Sequence, residues 1–176
     1  MTTMDQPILS EALDRRNWEA LRGAASPDVA RELLARLGAL EAEQYLDPDT
    51  LTGWGMILAK HGHAGLDAAI APWLAPPVAR RVYLAAALLM GLWGPNGQPT
   101  PAAVQALLEA RRALGADAEG EGLGFMALCR ALDHTLPPAL RDLLVGSLDE
   151  EIARDAARPE LAEAKRDELA SRRKGA

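Results

Sequence analysis

Apolar residues recur along this chain at three- and four-residue steps, the spacing that lines one face of an α-helix. Between 27 and 46 the stripe is Val29, Leu33, Leu37 and Leu40, with Glu32 and Arg36 one turn apart beside it. Between 101 and 115 it is Val104, Leu107, Leu108 and Leu114. Between 138 and 157 it is Leu140, Leu144, Leu148 and Ile152. No segment alternates apolar and polar residues long enough to read as a β-strand.

Prolines mark where these runs begin. Proline suits the first helical turn because its missing N–H has no helical partner there, and a preceding Ser, Thr or Asp can accept from the free N–H groups. Ser26-Pro27, Asp47-Pro48 and Thr100-Pro101 have this form. Pro76-Pro77, Pro137-Pro138 and Pro159 open runs without the polar cap. Together these signals predict helices near 7–23, 27–46, 48–61, 64–75, 77–93, 101–115, 122–134, 138–157 and 159–173.

Residues 64–94 carry only three charges, Asp67, Arg80 and Arg81. A helix apolar nearly all round must be surrounded, so VARRVYLAAALLMGLW is the expected central core helix. Residues 149–174 are crowded with charges of both signs, and the last run offers little beyond Leu161, Ala164 and Leu169 to bury. The expectation is an all-α fold of about eight or nine helices. It would be a compact multi-helix bundle or a short, irregular array of helical hairpins. Residues 1–157 would form one domain, with 158–176 a charged C-terminal helix or frayed tail. LTGWGMILAKHGHAGLDAAIAPWLAPP loosely resembles one tetratricopeptide-type hairpin, but the helix starts keep no fixed period and that family is not assigned.

Alanine- and leucine-rich composition, with few aromatic residues, favours helix and disfavours sheet. The formal net charge of -6 opposes phosphate backbones and anionic membrane surfaces, so nucleic acid is not the expected partner. The longest apolar stretch, 82–93, is too short for a bilayer, which needs about 20 residues. One cysteine, Cys129, cannot form an internal disulfide, and MTTMDQPILSEALDRR has acids where a secretory signal needs a basic start and an apolar run; a cytoplasmic protein is expected.

The chemistry on offer is sparse. In LAKHGHAG, His61 and His63 flank Gly62. Gly62 suits a helix end, with Lys60 and His61 meeting the negative end of the helix dipole. The alternative is a metal or small-ligand site built from His61, His63, His134 and an acid such as Asp47, Asp49 or Asp67. The acidic run ADAEGEGLG fails as a calcium loop, because the twelfth position from Asp117 is Leu128 and not a bidentate acid. Its glycines lack the spacing and the basic residue of a phosphate cradle. Cys129 shares a helical face with Phe125, Leu128 and Leu132, which makes it a buried, inert thiol.

The leading expectation is therefore a non-catalytic protein-interaction or assembly protein that needs no cofactor and binds another protein or its own copy. Trp18, in the polar run DRRNWEALR, Asn96, in the loop GPNGQPTP, and the terminal Arg172 and Arg173 are the candidate contact residues.

Overall fold

A computed structural model describes residues 25–39, 47–93, 98–115 and 121–173. The helix expected near 7–23, with Trp18 in it, and the loop residue Asn96 lie outside the described residues. Eight α-helices and one 3-10 turn occur among the described residues, and no strand. They are α1 (Pro27–Gly38), α2 (Pro48–His61), α3 (Leu66–Leu74), α4 (Ala79–Leu92), α5 (Pro101–Leu114), α6 (Glu121–Ala131), α7 (Pro138–Arg154), the 3-10 turn Asp155–Ala157, and α8 (Pro159–Arg173).

The proline-marked starts work as the local chemistry dictates. Ser26 accepts from Val29 N at 3.2 Å, Asp47 from Thr50 N at 2.8 Å and Thr100 from Ala103 N at 3.1 Å. Gly62, at φ 124°, ends α2, and its N–H donates to Leu58 O at 2.9 Å. Several bounds differ from the pattern. α1, expected over 27–46, ends at Gly38 with Ala39 as its C-cap, and 40–46 lie outside the described residues. α3, expected over 64–75, spans Leu66–Leu74. α4 begins at Ala79 because Val78 is extended. α6 stops at Ala131, where the N–H groups of Leu132, Asp133 and His134 turn to carbonyls three residues back. The run 138–157 is helical to Arg154 and then tightens into the 3-10 turn.

α4 is the centre of the globule, packed by α2, α3, α5 and α6, and every residue from Leu84 to Leu92 is buried. Its closest neighbour is α2, and two glycines set that approach. A Cβ on Gly55 would collide with the Leu88 carbonyl, and one on Gly91 with the Thr52 carbonyl. The Thr52 hydroxyl stitches the crossing, lying 2.9 Å from Pro48 O and 3.1 Å from Ala87 O. Trp54 and Trp73 fill the core beside it.

The charged C-terminal segment is helical from Pro159 to Arg173. α8 is docked on α6 and α7, and its buried face is Ala162, Lys165 and Leu169, while Ala164 is exposed and Leu161 half-buried. The inward stripe is rotated from the one the apolar residues suggest because a lysine holds its middle position. The reason is electrostatic.

Candidate functional site

α7 carries Leu148, Glu151 and Ile152 along the face that looks inward, and the 3-10 turn that follows it adds Asp155. Two carboxylates on an apolar stripe need cations, and two helices and the joint before the last of them supply these. From α5, Arg111 Nη2 donates to both oxygens of Glu151 at 2.8 Å. From α8, Lys165 Nζ donates to Glu151 Oε1 at 2.9 Å and to Asp155 Oδ2 at 2.7 Å. Arg158, between the 3-10 turn and α8, pairs with Asp155 Oδ1. The Lys165 ammonium also stands 5.1 Å from the centre of the Phe125 ring on α6, close enough for a cation–π contact.

These groups are out of water: the Lys165 side chain is 4% exposed, Glu151 7% and Asp155 0%. Burial alone would raise the Asp155 carboxyl, but the hydrogen bond and charge of Lys165, with those of Arg158, outweigh it. The Asp155 carboxyl is therefore held below the usual carboxylate range. Gly124 makes room for the network, since a Cβ there would strike the Arg111 guanidinium. The glycine that fits no phosphate cradle in the sequence is instead the seat of an arginine.

Beside the network is a cavity of about 20 Å³ walled by Val82, Leu108, Leu128, Arg111, Ser147 and Glu151. That volume suits about one water molecule between polar partners, not a substrate. Arg112 Nε donates to Ser147 Oγ at 3.2 Å at its edge.

The residues singled out from the sequence fall elsewhere. Arg172 is joined to Glu168 and Asp133, and Arg173 to Asp149 at 2.6 Å, so both fasten α8 to the rest of the chain. His61 closes α2, with its Nε2 buried and without a hydrogen-bond partner among the described residues. His63 follows Gly62 and borders an open groove with Lys60, Asp67 and Thr100. His134 stacks on Trp93, ring centres 4.6 Å apart at 23°. Two of the acids that might have completed a metal site have other work: Asp47 caps α2, and Asp67 accepts from the Thr100 hydroxyl at 2.8 Å. Among the described residues no three His, Cys, Asp or Glu side chains converge to hold a metal ion.

Cys129 is fully buried, and its thiol is pushed up to about 12, first by burial and then by the negative charges of Glu168 and Glu151, against Arg172 and Arg111. A thiol so poor in thiolate is a weak nucleophile.

Glu151, Asp155 and Lys165 escaped the sequence reading because charged residues default to solvent. One signal was present. Leu148, Glu151, Ile152 and Asp155 keep the three- and four-residue steps of a buried stripe, and Ala162, Lys165 and Leu169 do the same. No family model, no curated protein and no solved structure matches this chain.

Proposed function

We propose that this is a non-catalytic helical interaction or assembly protein of the cytoplasm, whose partner is another protein or a second copy of itself. The observation that supports this reading most is the employment of the reactive side chains. Glu151 and Asp155 are paired with Lys165, Arg111 and Arg158 within the fold, Asp47 and Asp67 hold helix starts, and Cys129 is a packed thiol. The Arg111–Glu151 pair fixes α7 against α5, and a preorganised frame of this kind is what a binding surface requires.

On the outside of that frame Met56, Val78, Met126 and Leu143 stand 37–49% exposed. Methionine adapts its shape to a partner, so Met56 and Met126 are the contacts expected to matter most. Basic residues are largely answered from within the chain: Arg111 by Glu151, Arg112 by Ser147 and Glu150, Arg172 by Glu168 and Asp133, Arg173 by Asp149. That supports a protein partner over a nucleic acid. An unpaired, buried cysteine suits a reducing compartment. No helix among the described residues is long and apolar enough to cross a membrane.

The test is mass measurement by light scattering or native mass spectrometry, on the isolated chain and on the chain recovered from its own cells. A self-assembled species, or one partner at fixed stoichiometry weakened by Met56→Glu or Met126→Glu, supports the reading. A monomer without a stoichiometric partner in both preparations overturns it.

A further inference from the structure

We infer that α8 is a releasable latch, built to swing away from α6 and α7 while the remaining helices stay folded. Its apolar grip is slight: Ala162 and Leu169 are the hydrophobic residues that it buries. The rest of its attachment is ionic, with Lys165 in the Glu151–Asp155 socket, Arg172 on Asp133 and Arg173 on Asp149. A helix of this length is marginal alone in water, so α8 depends on that docking.

The socket is arranged so that losing α8 strands no carboxylate. Both oxygens of Glu151 keep Arg111 of α5, and Asp155 Oδ1 keeps Arg158, which precedes α8. Removing one member of a buried ion pair is costly mainly because it abandons the other in a dry interior. Here the departing charge, Lys165, goes to water, and each acid it leaves retains a guanidinium. The pivot is equally defined. α7 ends in the 3-10 turn Asp155–Ala157, and Pro159 carries no N–H to continue a helix through the joint.

Opening would uncover the Phe125 ring, over which Lys165 stands, and the face of α6 bearing Cys129, whose surroundings include Glu168 and Arg172 of α8. Because Arg172 and Arg173 hold it through ion pairs that reach solvent, salt loosens that outer part of the hold, while the buried Lys165 socket is screened little. This inference is independent of the proposed partner binding, since it concerns the isolated chain.

Two measurements on the full-length protein decide it: the rate of Cys129 modification by an aromatic disulfide, and amide hydrogen exchange of α8 against α4. Exchange in α8 should run at least about a hundredfold faster than in α4, because local opening costs less than global unfolding. Cys129 modification should follow α8, rising severalfold as salt goes from about 0.05 M to about 1 M, where the screening length falls to about 3 Å. Lys165→Met should raise modification about tenfold or more by removing two charge-assisted hydrogen bonds, and should leave the salt effect of the exposed Arg172 and Arg173 pairs in place. Should Lys165→Met fail to fold, Arg173→Gln, which alters only an exposed contact, should give a smaller rise in the same direction. Equal exchange in α8 and α4, with Cys129 modified only as fast as the whole chain unfolds, would overturn the latch.

Discussion

Glu151→Gln keeps the shape of the side chain and removes only its charge. In the structure that charge faces Arg111, bound through both oxygens at 2.8 Å, and Lys165 at 2.9 Å, all within a nearly dry interior. Lys165 keeps Asp155, but Arg111 is left on a neutral amide. Breaking a buried pair from one side costs about 3–5 kcal/mol, against a total stability of about 5–15 kcal/mol for a domain. With a urea slope of about 2 kcal/mol/M, the unfolding midpoint should fall by about 1.5–2.5 M. The buried Trp54 and Trp73 report unfolding by fluorescence. Pairing the change with Arg111→Met should return a coupling energy of about 1–3 kcal/mol. A loss below about 1 kcal/mol, the worth of a solvent-exposed pair, would refute the view that this network is a dry, strongly coupled unit.

Further outcomes follow from other particulars. Gly91→Ala drives a methyl group into the Thr52 carbonyl and should cost about 3 kcal/mol or more by thermal unfolding, whereas Gly146→Ala, with open space around it in α7, should gain up to about 1 kcal/mol. Asp155 has a lowered folded-state pKa, so its stabilisation is present above the unfolded value of about 3.9 and is lost as pH falls through the folded value. Urea midpoints taken from pH 6 downward should therefore decline less steeply for Asp155→Asn than for the parent chain, from a lower starting point. Asp47→Ala removes the cap on Thr50 N and should cost about 1 kcal/mol in the same assay.

Much of this fold was written locally. Ser26-Pro27, Asp47-Pro48 and Thr100-Pro101 start helices through bonds between neighbours, so the sequence alone reveals them. The central position of α4 was legible for a similar reason: a helix without a polar face has nowhere to go but inside. The pairing of Gly55 with Gly91 is not written locally, because what makes each necessary is a carbonyl on the other helix, far away in sequence. The burial of Lys165 is hidden for a deeper reason. Whether a lysine on a stripe is buried depends on two carboxylates meeting it from another helix, and only the fold supplies them. The ion pairs of Arg172 with Asp133 and of Arg173 with Asp149 likewise join residues far apart in sequence, which only the fold brings together.

The interior position of Lys165 is what joins the helical frame, its charged heart and the docking of α8. Nuclear magnetic resonance of the Lys165 side chain measures it most directly. The expected result is a Lys165 ε-methylene signal shifted upfield by the Phe125 ring, with cross-relaxation to that ring and to the α7 side chains around Glu151. A Lys165 signal at the position of a free, solvated lysine, with no cross-relaxation to Phe125, would contradict it.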